Sequence, residues 1–175
     1  MRRLSKSKLI AFRQCPKRLW LEIHKPELRD DSGSQAAFNI GYQVGDIAQQ
    51  VFDPDGTGIN VDPNDIGWDE SATQTEASLQ AGTSPVFEAL LSIPGSLALA
   101  DVMLPDLSSD KLRWQMIEVK SSTSVKDYHR DDVAIQTYIA ERNGIALSKV
   151  GVAHINNQFV YPGNEDYDGL LHVED

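Results

Sequence analysis

The sequence holds a single cysteine, Cys15, in 175 residues. That excludes an internal disulfide framework and any zinc or iron–sulfur site built from this chain's cysteines alone, and leaves a reduced thiol as the default. The four histidines, His24, His129, His154 and His172, lack the close spacing of a helical or finger-type metal centre. No run nears the ~18 consecutive apolar residues that span a bilayer, and the basic N-terminal stretch carries no apolar segment of signal-peptide length. A cytoplasmic protein without a membrane partner is expected. Lysine and arginine are missing from every position between Arg29 and Lys111.

What is present bounds the answer further. A hydrophobic content of 41% over 175 residues supports one core, so residues 1–175 are expected to form a single domain, complete or the front portion of a longer protein. The net charge of −10 argues against a surface that adheres everywhere to nucleic acid. Yet half of the 16 basic residues fall in the first 25 positions, which predicts a basic N-terminal helix and an acidic middle. Lys6, Lys8, Arg13, Lys17 and Arg18 are the candidates for phosphate contact on that helix; the plain alternative is a solvated amphipathic face.

Apolar residues from Ser5 to Ile23 recur at three- and four-residue spacings, a helical pattern that Pro16 splits or kinks. Pro26 and the run Asp30 to Ser34 predict a loop. Gln35 to Phe52 reads as a helix in which Gly41 and Gly45 each cost ~1 kcal/mol against alanine, a cost that close packing on another element would offset. The acidic stretch through Glu70 is expected to be irregular, with a short strand near Ile59 to Val61. Asp53, Asp55 and Thr57 stand at alternate positions before Gly58, but Asn64 occupies the twelfth position, where a calcium loop needs a bidentate acid. A helix is predicted over Gln74 to Ala81, and a strand or helix over Pro85 to Leu91. Leu97 to Leu104 and Leu112 to Lys120 form a predicted hairpin across Pro105 to Asp110. Tyr128 to Asn143 has helical periodicity, with Val133, Ala134, Ile135, Tyr138, Ile139 and Ala140 as packing candidates and Gly144 as its stop. Val150 to Ile155 and Gln158 to Tyr161 are predicted to pair around Asn156 and Asn157, followed by an acidic tail that frays. The order of elements favours an α/β or α+β chain with a mixed central sheet.

Glu118 and Lys120 are two apart on an apolar strand, so their side chains share a face. Asp101 lies within the preceding strand, where an acid has no packing role, and hairpin pairing brings it towards Glu118. Two half-buried carboxylates repel and are costly to desolvate unless a cation neutralises them. Mg²⁺ suits such a pair, taking one or two carboxylates, waters and substrate phosphate oxygens, with the Val119 carbonyl as a further ligand. Lys120 would position a metal-bound nucleophile or neutralise developing charge. The bland alternative for Glu118 and Lys120 is an exposed ion pair at a strand end. Asp106, in the predicted turn, is the poorer acidic partner.

These residues resemble the PD-(D/E)XK nuclease superfamily and, within it, the RecB-like branch that includes CRISPR-associated adaptation exonucleases. The resemblance runs from Leu4 to Lys8, through Cys15 to Trp20, Gly41 to Gly45, Ala100 to Val102 and Ile117 to Ser121, to Gln136 and Tyr138. It is nearest to the N-terminal region of an uncharacterised bacterial RecB-like group with a Glu-Val-Lys-Ser-Ser string followed by Asp-Asp-Val-Ala-Ile-Gln. The resemblance implies a restriction-endonuclease-like core, an α/β fold with its mixed sheet flanked by helices. It implies metal-dependent hydrolysis of DNA phosphodiester bonds with Mg²⁺ or Mn²⁺ on Asp101 and Glu118, a catalytic Lys120, and Gln136 orienting the site or touching DNA. Glu88 is a further acidic candidate. Gly45 stands where many RecB-like nucleases carry a histidine ligand. Gln136 and Tyr138 are two apart instead of four, about 200° apart on a helix, so Tyr138 is expected in the core. The family's iron–sulfur members use one early and three late cysteines; Cys15 has no such partners, so no cluster is expected from this chain alone. The alternative function is a nuclease-derived module that binds nucleic acid or a protein partner without cutting.

Overall fold

The computed structural model describes residues 4–29, 34–108 and 110–175, and the side chains of these apart from 34–38. Most of the expected loop from Asp30 to Ser34, and Ser109 of the expected hairpin loop, lie outside the described residues, as do Arg2 and Arg3 and the side chains of Ala37 and Phe38. In chain order the elements are β1 (Leu4–Ser5), α1 (Lys6–Gln14), α2 (Pro16–His24), a 3-10 turn (Pro26–Leu28), α3 (Ser34–Phe52), β2 (Ile59–Asn60), α4 (Pro63–Ile66), α5 (Trp68–Ala81), β3 (Val86–Ile93), β4 (Ser96–Pro105), β5 (Trp114–Lys120), α6 (Asp127–Arg142), β6 (Leu147–Ile155) and β7 (Leu171–Glu174). The chain is an α/β protein with a mixed, strongly curled sheet packed against helices.

Six strands run in the order β2-β3-β4-β5-β6-β7, and β1 attaches to β4. The β3-β4, β4-β5 and β6-β7 pairs are antiparallel, whereas β5 and β6 are parallel and joined by the α6 crossover. One core cluster holds Trp114, Met116, Met103, Val86, Ala89, Leu91, Ala98 and Ala100 against Ile139 and Ala140 of α6 and Leu79 of α5. A smaller one holds Phe87, Val102, Ile117 and Ala153, with Phe52 of α3 packed on it. Strand alternation puts even and odd positions on opposite faces, yet Val86 and Ala89 share a cluster, as do Ala100 and Met103. The inside-outside pattern therefore slips between them on both β3 and β4. Glu88 and Asp101 stand at the slip, and Glu88 has a φ of 56°, a left-handed conformation rare for a residue with a β-carbon.

Several expectations are corrected by this arrangement. The helix predicted over Gln74 to Ala81 begins at Trp68, with Asp69 and Glu70 in its first turn, so the end of the acidic stretch is helical rather than irregular. Its buried stripe is Ser71, Thr75 and Leu79, four apart but two of them polar, which silenced the hydrophobic period. Both hydroxyls have backbone partners: Ser71 Oγ donates to Val61 O at 2.6 Å, and Thr75 Oγ1 accepts from Leu90 N at 3.0 Å. The ambiguous run at Pro85 to Leu91 is strand. Gln158 to Tyr161 does not pair with β6; Val160 is 84% exposed, and β7 takes that edge instead, so the acidic tail is structured. Tyr138 is exposed, not core: standing opposite the buried Gln136 on α6 turns it to solvent, and Ala134 is exposed too. On α1 and α2, Phe12, Trp20 and Ile23 are likewise exposed, and Pro16 starts the second helix. The close packing that would offset the cost of Gly41 and Gly45 is absent, since a β-carbon at either would meet nothing within 4 Å. Asp53 is spent on the backbone, accepting from Thr57 N at 3.0 Å and Gly58 N at 2.6 Å.

Gly82 ends α5 in the left-handed region at φ 63°, and an added β-carbon would lie 2.2 Å from Leu112 Cδ1. Leu112 is half-exposed and its methyl swings away readily, so the backbone term dominates. Gly82→Ala is expected to cost about 1–2 kcal/mol, which calorimetry would register as a fall in Tm of about 3–6 °C for a chain of this size. An unchanged Tm would mean that the cap does not hold this conformation.

Candidate active site

The site lies where β4 shares one edge between two strands. Its first residues, Ser96 and Leu97, pair with β1, and its last, Val102 to Pro105, pair with β5. Between these contacts the ladder is open. Continuing the register from Val102–Ile117 by one step sets Asp101 against Glu118, and there Asp101 Oδ2 replaces a strand carbonyl, accepting the Val119 N–H at 2.7 Å. The pairs Phe87–Val102 and Ala89–Ala100 likewise set Glu88 opposite Asp101. Like charges in directly opposed positions destabilise a sheet, so three acids in a row on β3, β4 and β5 require positive charge nearby.

Glu118 has found it. Its side chain is 2% exposed, and Oε1 accepts from Lys120 Nζ at 2.5 Å and from Lys6 Nζ at 2.7 Å. Oε2 accepts from Gln136 Nε2, which also donates to Leu99 O at 2.9 Å. Both neighbours of that amide nitrogen are acceptors, which dictates the amide's orientation; its oxygen is buried without a partner among the described residues. Lys120 is tied further to Asp132 Oδ2 at 2.8 Å. Asp132 and Gln136 are one turn apart on α6, so one face of that helix positions both the carboxylate and the lysine.

The titration behaviour follows from this unequal pairing. Burial pushes Glu118 up, but Lys6 and Lys120 outweigh it and hold the carboxyl at about 2. Burial lowers Lys120, and Glu118 and Asp132 more than compensate, raising it above the usual lysine range. Asp101 goes the other way: burial, reinforced by Glu118, pushes it up to about 7. Glu88 is raised to about 8 by burial, then by Asp101, Asp62 and Glu118. One carboxylate is saturated with cations, and the two beside it are short of them.

Those two face an open cavity of about 390 Å³ lined by Glu88, Asp101, Val119 and Lys120 on the sheet and by Gly41, Tyr42 and Gly45 on α3. The glycines keep this wall of α3 low above the carboxylates. Among the described residues no three His, Cys, Asp or Glu side chains form a ready metal cage. The donor set nevertheless suits a hard, oxygen-seeking ion, because Mg²⁺ uses one or two carboxylates and keeps its waters, and Asp101 meets the Val119 N–H with one of its two oxygens.

The structure thus brings together Asp101, Glu118, Lys120, Gln136 and Glu88, with Val119 entering through its N–H. Of the five basic candidates, Lys6 is in the centre itself. Lys8 and Arg18 pair with Glu22, and Arg13 pairs with Asp131, while Lys17 is exposed. The sequence pattern marks Lys6 only as a phosphate contact and gives Asp132 no role, yet both belong to the carboxylate centre. The signal for Lys6 was its place: the first turn of a helix disfavours a cation, so a lysine there needs an acid from elsewhere in the fold. Asp106 is remote from the centre, paired with Arg113 at 3.0 Å.

Comparison with known proteins finds no matching family model, no matching curated protein and no matching solved structure. Among the described residues no helix is long and apolar enough to cross a membrane.

Proposed function

We propose that the chain is a metal-dependent deoxyribonuclease of the PD-(D/E)XK type, RecB-like in its motifs, that hydrolyses DNA phosphodiester bonds. The observation that carries this reading is the imbalance of charge: Glu88 and Asp101 face an open cavity without adequate positive charge, beside a Glu118–Lys120 pair locked in place. Asp101 and Glu118 would hold Mg²⁺ or Mn²⁺, with Glu88 and the Val119 carbonyl as further donors. A divalent ion so held acidifies a bound water and offsets charge on a phosphate. Gln136 keeps Glu118 in its rotamer. Lys120, anchored by Asp132 and raised in pKa, stays protonated near neutrality, so it donates a hydrogen bond to the nucleophile or to a phosphate oxygen and does not serve as a base. Lys17 and the basic face of α1 and α2 are the proposed DNA contacts, and a cytoplasmic location fits such a substrate. The test is Mg²⁺- or Mn²⁺-dependent cleavage of single- and double-stranded DNA by the purified protein, stopped by chelation, with Glu118→Ala and Lys120→Ala beside it. Activity unchanged in both variants rejects the centre.

Two observations favour a second reading, a nuclease-derived module that binds DNA or a protein partner without cutting: Gly45 in place of a histidine ligand, and basic residues already paired with acids. Salt-sensitive DNA binding with no cleavage at any metal concentration would support it. The vacancy at Gly45 supplies a further prediction. Its open surroundings leave room for an imidazole above Asp101, so Gly45→His is expected to tighten Mn²⁺ binding about tenfold, or ~1.4 kcal/mol, by calorimetry. Unchanged affinity would place the ion elsewhere in the cavity.

A further inference from the structure

Lys6 is a costly residue to have half-buried. It opens α1 at the helix end where the macrodipole repels cations, and no acidic residue stands in that first turn to relieve it. Its only ion pair among the described residues is with Glu118 Oε1, at 2.7 Å. That oxygen already has Lys120 at 2.5 Å, and Gln136 covers the other. Both lone-pair positions of Oε1 are therefore taken by lysines, and a metal reaching that oxygen has to displace one of them. The two lysines differ in how they are held: Lys120 has a second anchor in Asp132 and lies on a paired strand, whereas among the described residues Lys6 pairs with Glu118 alone.

Resting on the nuclease reading above, we infer that Lys6 is a displaceable internal counterion: its ammonium holds Glu118 in the metal-free protein, and a divalent cation arriving between Asp101 and Glu118 takes its place. Lys120 remains where it is. Lys6 needs only a change of rotamer, since β1 fixes the backbone before it to Ser96 and Leu97 while four rotatable side-chain torsions lie between that backbone and Nζ. The released ammonium then stands beside the cavity, where a phosphate is its natural partner. The arrangement also keeps the centre assembled without metal, because a buried carboxylate stripped of its cations costs several kcal/mol.

The displacement is visible without any turnover. In ¹H–¹⁵N spectra of the whole chain, a lysine ammonium held against a buried carboxylate exchanges slowly and gives its own signal, assigned here through its side-chain carbons. Titration with Mg²⁺ is expected to shift or abolish the Lys6 signal stoichiometrically while that of Lys120 persists. By calorimetry Lys6→Met is expected to bind Mn²⁺ at least about tenfold more tightly than the parent, while Lys25→Met, equal in charge but paired with Glu27 on the surface, stays within about twofold. A Lys6 signal unmoved at saturating Mg²⁺, or Lys6→Met binding no tighter, overturns the displacement and leaves the nuclease reading standing. Mn²⁺ binding equally to the parent and to Glu118→Gln overturns the nuclease reading itself, and the displacement with it.

Discussion

Glu118→Gln is expected to lower the rate of metal-dependent DNA cleavage by about 10³-fold or more, and Lys120→Met by about 10²–10³-fold, the range found when one charge-stabilising group is removed from a water-excluded site. The two losses have different origins. Glutamine keeps the shape of Glu118 but removes the charge shared by Lys6 and Lys120 and a carboxylate proposed for the metal. Methionine keeps the stem of Lys120 but removes the donor that Asp132 aims. Breaking a buried ion pair costs about 3–5 kcal/mol, so Glu118→Gln also has to be shown folded, by circular dichroism at a temperature well below its Tm. Asp101→Asn supplies the companion measurement: it is expected to abolish cleavage while leaving the metal-free protein at least as stable as the parent. Retention of more than about a tenth of parental activity by both Glu118→Gln and Lys120→Met would remove the centre from the mechanism.

The second large effect is on stability. Asp101 and Glu88 have ordinary values of 3.8 and 4.5 and are raised to about 7 and about 8 in the fold, so the folded state holds their protons more tightly than the unfolded chain. Their contribution is complete below about pH 4 and is lost as pH climbs through 7 and then 8. Glu118 has the opposite sign: depressed from 4.5 to about 2, it contributes above its ordinary value and is lost as pH falls towards 2. The metal-free protein is therefore expected to be most stable on the acid side of neutrality and to weaken in mild alkali. Mn²⁺ substitutes for the missing protons. At a hundredfold excess over its Kd a ligand adds ~2.7 kcal/mol, equivalent to about 5–10 °C in Tm. That gain is expected near pH 8, and less than about 2 °C near pH 5.5, where Asp101 and Glu88 are protonated. A Tm flat from neutrality to mild alkali, or equal Mn²⁺ shifts at both pH values, would show that these carboxyls are not the strained partners.

The centre was legible in the sequence to the extent that it obeys strand periodicity. Glu118 and Lys120 share a face because they are two apart, and Asp101 stood out as an acid among Leu99, Ala100, Val102 and Met103. What escaped was set by distant contacts. Lys6 belonged, by composition, to a basic amphipathic helix; only the β1–β4 pairing delivers it to Glu118. Glu88 carries a positive φ that no local pattern announces, since glycine is the residue expected there. Local turn chemistry predicts the β6 partner within a short hairpin, whereas β7 arrives after a stretch of turns from Asn156 to Leu170. Trp68 to Thr73 of α5 gives no helical signal because serine and threonine fill its buried stripe. The resemblance supplied Gln136, for which periodicity gave no role.

The sharing of one β4 edge by β1 and β5 imposes an order on synthesis. Leu4 pairs with Ser96, so the strand leading into Lys6 waits while residues 5–95 are translated, several seconds at ~5–20 residues per second. Glu118 emerges later still. The acidic row on β3, β4 and β5 thus takes Lys6 from a segment translated well before it, and closure of that long loop is expected to be the slow step in making the site competent.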